Sequence, residues 1–514
     1  MPTRLFLVLA GALLLVRVPS LVQPMGPDQG LYAYVGERIL HGDLAYRDAW
    51  DQKPPGIHYV YAALRAASSQ DSAVAAADLI AAAAVAALLF RAGTRLAGPA
   101  AGSISALLFL LLSDPYFSRY GGVRVRSQCE TFIALAVSAA MVLALRTQEG
   151  GRRWPLFAAG LLLGATFALK YNAGIYAVAV IAALWLGSRV RLPDLIPLAA
   201  GGLVVPLLLL AVFAYGHALR DLYEATIAYN VRYSGETYTS RLDMVRYLVL
   251  FPIQHARIDA LWFVGGLGCL ALLPLSVRHH GLLIPVVWVA SACVAIAING
   301  SRGLPQYFVQ AAPALALAAG VGAASALRAA PRPLVWGLTA LVAIGVWRVD
   351  DFPKLAANVS YDAQYMLGRM DRRTYLTRYG GQRDADKYSA LDNLDLGEML
   401  RQRSAPSDTV YVFGFSQAAY VYADRRSASR FFWSRPVIVE FDGADPRYGT
   451  NGLLADLERN QPAVVVLQKH DWAPDVEDSA AFFLGNPRLS DWLHAHYREF
   501  PSVDGFSAWE KTGA

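Results

Sequence analysis

The sequence predicts a polytopic α-helical membrane protein with a C-terminal extracytoplasmic α/β domain, and three observations carry that prediction. Residues 1–348 hold 43 charged side chains (Asp, Glu, Lys, Arg), and residues 349–514 hold the same number in half the length. Hydrocarbon does not solvate charge, so the first density belongs to a membrane domain and the second to an ordinary soluble one. Apolar runs long enough to cross about 30 Å of hydrocarbon as helices recur about eleven times before residue 349. After it, short β-branched runs alternate with segments of helical period, the pattern of an α/β domain. The expected division is therefore 1–348 and 349–514.

The expected spans lie near residues 4–22, 72–97, 99–117, 128–146, 154–170, 171–188, 195–216, 258–276, 281–299, 304–327 and 332–348. The first follows Arg4 like a signal peptide, but no small-x-small cleavage site follows it and further spans do, which favours a retained helix. With the amino terminus inside, Arg91 and Arg95, Arg146, Arg152 and Arg153, Arg189 and Arg191, Arg278, and Arg328 and Arg332 all fall in cytoplasmic loops, as the positive-inside rule requires. An odd number of spans then places residues 23–71, 217–257 and the C-terminal domain on the outer face of a bacterial plasma membrane. The net charge of +6 combines +11 before residue 349 with −5 after it. It sets topology and marks no nucleic-acid partner. Cys129, Cys269 and Cys293 sit in apolar stretches without metal-ligand spacing and read as small core residues.

Residues 23–71 are too polar to be a span. Leu31, Val35 and Ile39 at helical spacing predict an interfacial helix over 29–41. Pro54-Pro55-Gly56 forces a turn, and residues 57–67 read as a second helix against the membrane. Further on, residues 361–403 are expected to be helical in part. Strands are then expected at 409–414, 437–441, 463–468 and 506–510, with helices or turns at 416–422, 453–460 and 489–496, giving a small sandwich around a largely parallel sheet. Gly414-Phe415-Ser416 lacks the other glycines of a dinucleotide fingerprint or a nucleophile elbow, and the domain shows no catalytic constellation.

The chemistry-bearing residues gather at the expected outer ends of the spans. Asp28, in Pro27-Asp28-Gln29-Gly30, is a carboxylate at the membrane edge, where apolar surroundings raise basicity and suit a general base. Lys53, in Trp50-Asp51-Gln52-Lys53-Pro54-Pro55-Gly56, places a cation at the same level on a rigid turn. Arg119, Arg124, Arg126, Lys170 and Arg302 also lie at outer ends, where topology alone does not put cations. Either they converge on an anion such as a phosphate, or they are solvated loop residues and snorkelling anchors. Asp78 inside an apolar span is expected to face the bundle, and Glu130 to pair with Arg126 at a helix start. His279-His280 falls in an inner loop and reads as interfacial. Tyr223, Tyr229, Tyr233 and Tyr238 form either a sugar-stacking surface or an aromatic belt.

The run Asp28-Gln29-Gly30-Leu31-Tyr32, Gly36-Glu37-Arg38-Ile39-Leu40-His41-Gly42, Tyr46-Arg47-Asp48 and Asp51-Gln52-Lys53-Pro54-Pro55-Gly56 resembles the first extracytoplasmic loop of GT-C glycosyltransferases. The branch it is most similar to holds the protein O-mannosyltransferases, the lipid A aminoarabinose transferase and the bacterial transferases acting on lipopolysaccharide core. Gly303-Leu304-Pro305-Gln306-Tyr307-Phe308, running into Ala312-Pro313-Ala314-Leu315-Ala316, is similar to that family's late span. The resemblance implies a sugar donor carried on a polyprenyl phosphate and inverting transfer to a glycan, glycolipid or protein acceptor. It makes Asp28 the general base or the acceptor-orienting carboxylate, with Asp51 or Asp48 supplying a second carboxylate. Lys53 and Tyr307 are then the donor-phosphate residues with Arg302 as their neighbour, and Arg124, Arg126 and Lys170 are expected to join them from their place at the outer ends of the spans. Asp48, Gln52 and Gln306 are expected to touch acceptor or sugar. Gln29 and Gln52 stand where the aminoarabinose branch carries acidic residues, which counts against that activity.

No cofactor is expected. Asp28 and Asp51 could hold a divalent cation, but Lys53 supplies the neutralising charge without one. The competing reading is a transporter or flippase of a lipid-linked or anionic substrate. Transporters commonly show internal repeats and charge near the midplane; this sequence shows no repeat and gathers its charge at one face.

Overall fold

The computed structural model describes residues 3–117, 119–120, 123–147, 154–187, 192–235, 237–329, 331–380, 388–439, 441, 445–471 and 478–512. The side chain of Arg119 and residues Arg152, Arg153, Arg189 and Arg191 of the expected inner loops lie outside the described residues. The chain opens with α1 (Thr3–Arg17), then α2 (Pro27–Leu40) and α3 (Gly56–Ala67) in the first loop. The bundle continues through α4 (Ser72–Ala97), α5 (Pro99–Leu112), a two-residue hairpin of β1 (Arg119–Tyr120) and β2 (Val123–Arg124), α6 (Cys129–Arg146), α7 (Trp154–Leu169), α8 (Tyr176–Gly187) and α9 (Ile196–Tyr215). After α9 come α10 (Leu219–Tyr223), α11 (Tyr229–Gly235) and α12 (Arg241–His255), then α13 (Ala260–Ser276), α14 (Leu283–Ile298), the short α15 (Gln306–Val309), α16 (Ala312–Ala329) and α17 (Arg332–Val349).

Each expected span has its helix. Six helices among the described residues are long and apolar enough to cross a membrane, and α12 and α13 form a bent pair at 109°. Four shorter apolar helices, within α7, α8, α16 and α17, complete the set. The bend puts α12 across the end of the bundle, with Leu242, Val245, Val249 and Ile253 exposed along it. Lipid offers apolar helices no hydrophobic drive to associate, so close backbone approach through small residues has to supply the packing. At Gly160 of α7 an added Cβ would lie 2.0 Å from the carbonyl oxygen of Leu198 in α9.

The C-terminal region holds α18 (Phe352–Met366), α19 (Arg372–Leu376), α20 (Ala390–Gln402), β3 (Thr409–Phe413), α21 (Ala418–Ala423), β4 (Arg426–Ser427), α22 (Arg435–Ile438), α23 (Gly449–Asn460), β5 (Val464–Gln468), α24 (Ser479–Gly485), α25 (Pro487–His496), β6 (Tyr497–Phe500) and β7 (Phe506–Lys511). The sheet order is β4-β3-β5-β7-β6. β3 pairs in parallel with β4 and β5, whereas β7 pairs antiparallel with both β5 and β6. Two expectations are corrected here. The sheet is mixed and not largely parallel, because β6 and β7 are too close in sequence for the crossover a parallel pair needs. The strand expected over 437–441 is instead the helix α22 at residues 435–438, entered through Ser434 and Pro436.

This region is welded to the first loop. Gly30 of α2 meets α21 so closely that a Cβ would lie 2.8 Å from the amide nitrogen of Ala418. The Tyr34 hydroxyl accepts from the Ser427 amide at 2.8 Å, and the Tyr388 hydroxyl donates to the Met25 carbonyl at 2.6 Å. One continuous apolar core accordingly runs from Phe6 in α1 to Trp509 in β7. Gly30→Ala is expected to destabilise the protein by about 1–3 kcal/mol through overpacking, read as a lower thermal unfolding midpoint of the detergent-purified protein.

Candidate active site

Asp28 and Lys53 reach the site from the two ends of the first loop, each fixed by a different device. Pro27 occupies the first helical position of α2, where its missing N–H costs nothing, and Asp28 follows in the first turn. The Gln29 side chain accepts from the Gly26 amide at 2.7 Å and donates to the Arg126 carbonyl at 2.7 Å, clasping the helix start. Lys53 leaves a strap in which three backbone carbonyls are held. The Trp50 carbonyl accepts from the Trp433 indole at 3.1 Å, Gln52 from Asn230 at 2.6 Å and Lys53 from the Tyr46 hydroxyl at 2.7 Å. The Trp50 amide donates to the Arg430 carbonyl at 2.8 Å. Pro54-Pro55-Gly56 then turns into α3, and Gly56 lies so close to the end of α7 that a Cβ would sit 2.7 Å from the Ala168 oxygen. This contact brings the turn beside Lys170.

The charges that meet here are Asp28, Asp51, Lys53, Glu130 and Lys170. Burial pushes the Asp28 carboxyl up to about 6; Lys53 opposes that rise, Asp51 and Glu130 add to it, and Lys170 opposes it. Burial works against the Lys53 ammonium, but Asp28 and its other neighbours hold it well above its ordinary value. A carboxylate near 6 beside a permanent cation is poised to take a proton at neutral pH. Gln306 of α15 donates to Asp28 Oδ2 at 3.4 Å. Lys170 Nζ lies 2.5 Å from Glu130 Oε1 and 4.5 Å from the centre of the Tyr307 ring. Tyr307 shares a hydrogen bond with Tyr233. Over the Tyr233 ring stand two guanidinium carbons, Arg302 at 3.6 Å and Arg435 of the C-terminal region at 5.6 Å.

The structure thus brings together Asp28, Lys53, Lys170, Gln306 and Tyr307, with Arg302 behind Tyr233. Asp51 lies one step away, buried against His58, its Oδ2 3.2 Å from His58 Nε2. Gln52 and Gln306 are buried, and their side-chain oxygens accept no hydrogen bond from the described residues. Three expectations meet a different geometry. Arg126 donates to the carbonyls of Ser20, Gln23 and Pro24 and so braces the chain before α2, whereas Arg124 stands over the Tyr116 ring at 5.2 Å, in the segment after α5. Asp48 caps the local turn, accepting from the Leu44 amide at 2.8 Å and pairing with Arg47 at 2.7 Å. Glu130 pairs with Lys170 instead of Arg126. Asp78 faces the bundle and accepts from the Ser127 amide at 2.9 Å.

Sequence reasoning missed His58, Trp433 and Arg435. His58 had a local signal in its spacing from Asp51. The other two had none, because only tertiary folding brings residues of the 430s onto the first loop.

The fold and site together define a polytopic membrane protein with a charged cluster under a C-terminal sheet domain, and comparison with known proteins agrees. Residues 52–215 match the family described as dolichyl-phosphate-mannose-protein mannosyltransferase. The crystal structure of ArnT from Cupriavidus metallidurans bound to undecaprenyl phosphate superposes with a TM-score of 0.62 at 16% identity, covering 99% of this chain and 98% of that one. Its apo state gives 0.57 at 17% identity, covering 98% and 97%. The Archaeoglobus fulgidus oligosaccharyltransferase tethered to an acceptor peptide gives 0.52 at 12% identity, covering 99% of this chain and 74% of that one. No curated protein sequence matches the chain. The chain shares the fold of these solved structures.

Lys170→Met leaves Glu130 buried without its cation and is expected to cost about 3–5 kcal/mol of stability. Lys170→Met combined with Glu130→Gln is expected to regain most of it, measured by thermal unfolding of the four proteins of that cycle.

Proposed function

We propose that the protein is an inverting glycosyltransferase that moves a hexosyl or pentosyl group from a polyprenyl-phosphate donor to a glycan, glycolipid or protein acceptor. The reaction takes place at the outer face of a bacterial plasma membrane. The observation that carries this reading is the placement of Asp28, its carboxyl raised to about 6, in the same cluster as Lys53 and Tyr307. Asp28 takes the proton of the acceptor hydroxyl as that oxygen bonds to the anomeric carbon. The bond from this carbon to the phosphate oxygen breaks on the opposite side, and the lipid phosphate leaves with its new charge. Lys53, with Tyr307 beside it, stabilises that charge in a site of low dielectric, where a fixed cation acts most strongly. A single displacement with one base inverts the anomeric centre.

The side-chain oxygens of Gln52 and Gln306 are buried acceptors suited to sugar hydroxyls. Lys170 acts through Glu130 and Tyr307, and Arg302 through Tyr233. Asp51 is not the second base in this reading; its partner is His58. The cluster sits at one end of the bundle, under the C-terminal domain, which fits an enzyme working at an interface better than a transport path through the midplane.

The test is transfer of labelled sugar from a membrane pool of polyprenyl-phosphate sugars. Wild type is expected to yield labelled product that Asp28→Asn reduces by about 10²-fold or more, the usual contribution of general-base catalysis. Because the base must be ionised, activity at low substrate is expected to rise with pH through about 6 and then level off. Equal product from both proteins would remove Asp28 from the reaction.

A further inference from the structure

Beneath the cluster lies a second pair of ionisable groups that the reaction above does not use. His58, in the first turn of α3, has no exposed surface, and the Asp51 side chain is almost as deeply buried. His58 Nε2 and Asp51 Oδ2 face each other at 3.2 Å, and neither of these atoms nor His58 Nδ1 has a hydrogen-bond partner among the described residues, so the contact is electrostatic. The rings of Tyr32 from α2 and Tyr46 from the loop close over the imidazole edge-on, at 5.9 and 6.1 Å. A phenyl ring would fill such a box at lower cost, because burying an imidazole against a single carboxylate desolvates both. The box does contain a carboxylate that needs a partner. Asp51 is two residues from Lys53, the Gln52 amide donates to its Oδ1 at 2.7 Å, and its charge reaches Asp28.

We propose that His58 is a positioning residue that acts through Asp51. It holds the Asp51-Gln52-Lys53 strap in place and offsets the Asp51 charge, and so sets how strongly Asp28 binds its proton. This inference rests on the functional reading above. The groups facing Asp28 are Lys53, Asp51, Glu130, Lys170, the Gln306 amide, Tyr32, Tyr61 and Cys129, and those facing His58 are Asp51, Tyr32 and Tyr46. Among them, His58 can balance Asp51 without entering the substrate site. Removing His58 leaves the Asp51 charge to push protons onto Asp28. Removing the Asp51 charge does the reverse.

The experiment measures the affinity of purified full-length protein for undecaprenyl phosphate against pH, with Asp28→Asn as the baseline for the lipid's own ionisation. Ionised Asp28 offsets Lys53, so in wild type the affinity relative to that baseline falls as pH rises through about 6. Asp51→Asn is expected to lower this midpoint by about one pH unit and His58→Gln to raise it by about one. Asp51→Asn/His58→Gln is expected to match Asp51→Asn alone, because His58 acts only through that carboxylate. Equal thermal unfolding midpoints would confirm that the variants fold. Unmoved midpoints, or affinity changed equally at every pH, would overturn the role of His58 while leaving the glycosyltransferase reading intact. If wild type bound no undecaprenyl phosphate while remaining folded, both would fall.

Discussion

The structure is organised around one electrostatic requirement: a carboxylate and an ammonium, Asp28 and Lys53, must be held close together, both half-buried, at the membrane edge. Neither charge is stable there alone, since burial raises the carboxyl of Asp28 and acts against the ammonium of Lys53. Their mutual attraction offsets part of that cost only if both backbones are rigid. The two residues lie 25 positions apart on a polar loop, which would otherwise be free to separate them.

The C-terminal domain supplies the rigidity. It holds the loop just before Asp28 through Tyr388 and Met25, along α2 through the contact of Gly30 with Ala418, and just before Asp51 through the two hydrogen bonds of Trp50 to Trp433 and Arg430. It also grips the segment after α9, where Arg447 and the Tyr448 hydroxyl reach Glu224 and Arg430 reaches Asp221 at 3.2 Å. Those ion pairs are partly exposed and individually weak. The buried hydrogen bonds to Trp50 matter more, because an unmet backbone group there would carry its full desolvation cost. Its contacts fix the geometry of the loop that carries Asp28 and Lys53.

Much of this was legible in the sequence because the bilayer imposes simple rules. Each apolar run became a helix, and the charge step near residue 349 coincides with the end of α17. Asp28 and Lys53 stood out by their place at the membrane edge, and the fold brings them into one cluster. What the sequence hid was tertiary pairing. Arg124, Arg126 and Lys170 look alike as outer cations, yet only Lys170 reaches the cluster, because the end of α7 packs against Gly56 while Arg126 turns back to the carbonyls ahead of α2. Arg435 and Trp433 carry no local sign of their contacts with Tyr233 and Trp50. The helix at residues 435–438 replaced an expected strand because Pro436 starts a turn where the β-branched run Val437-Ile438-Val439 reads as extended.

The most direct test of the central claim is an experimental structure of the protein with undecaprenyl phosphate bound. The account predicts a phosphate within hydrogen-bond reach of Lys53 Nζ, beside Tyr307, with Asp28 on the side from which an acceptor would approach. A phosphate bound instead at Arg124 and Arg126, or in the 340 Å³ cavity lined by Arg17, Asp114 and Trp262, would contradict it.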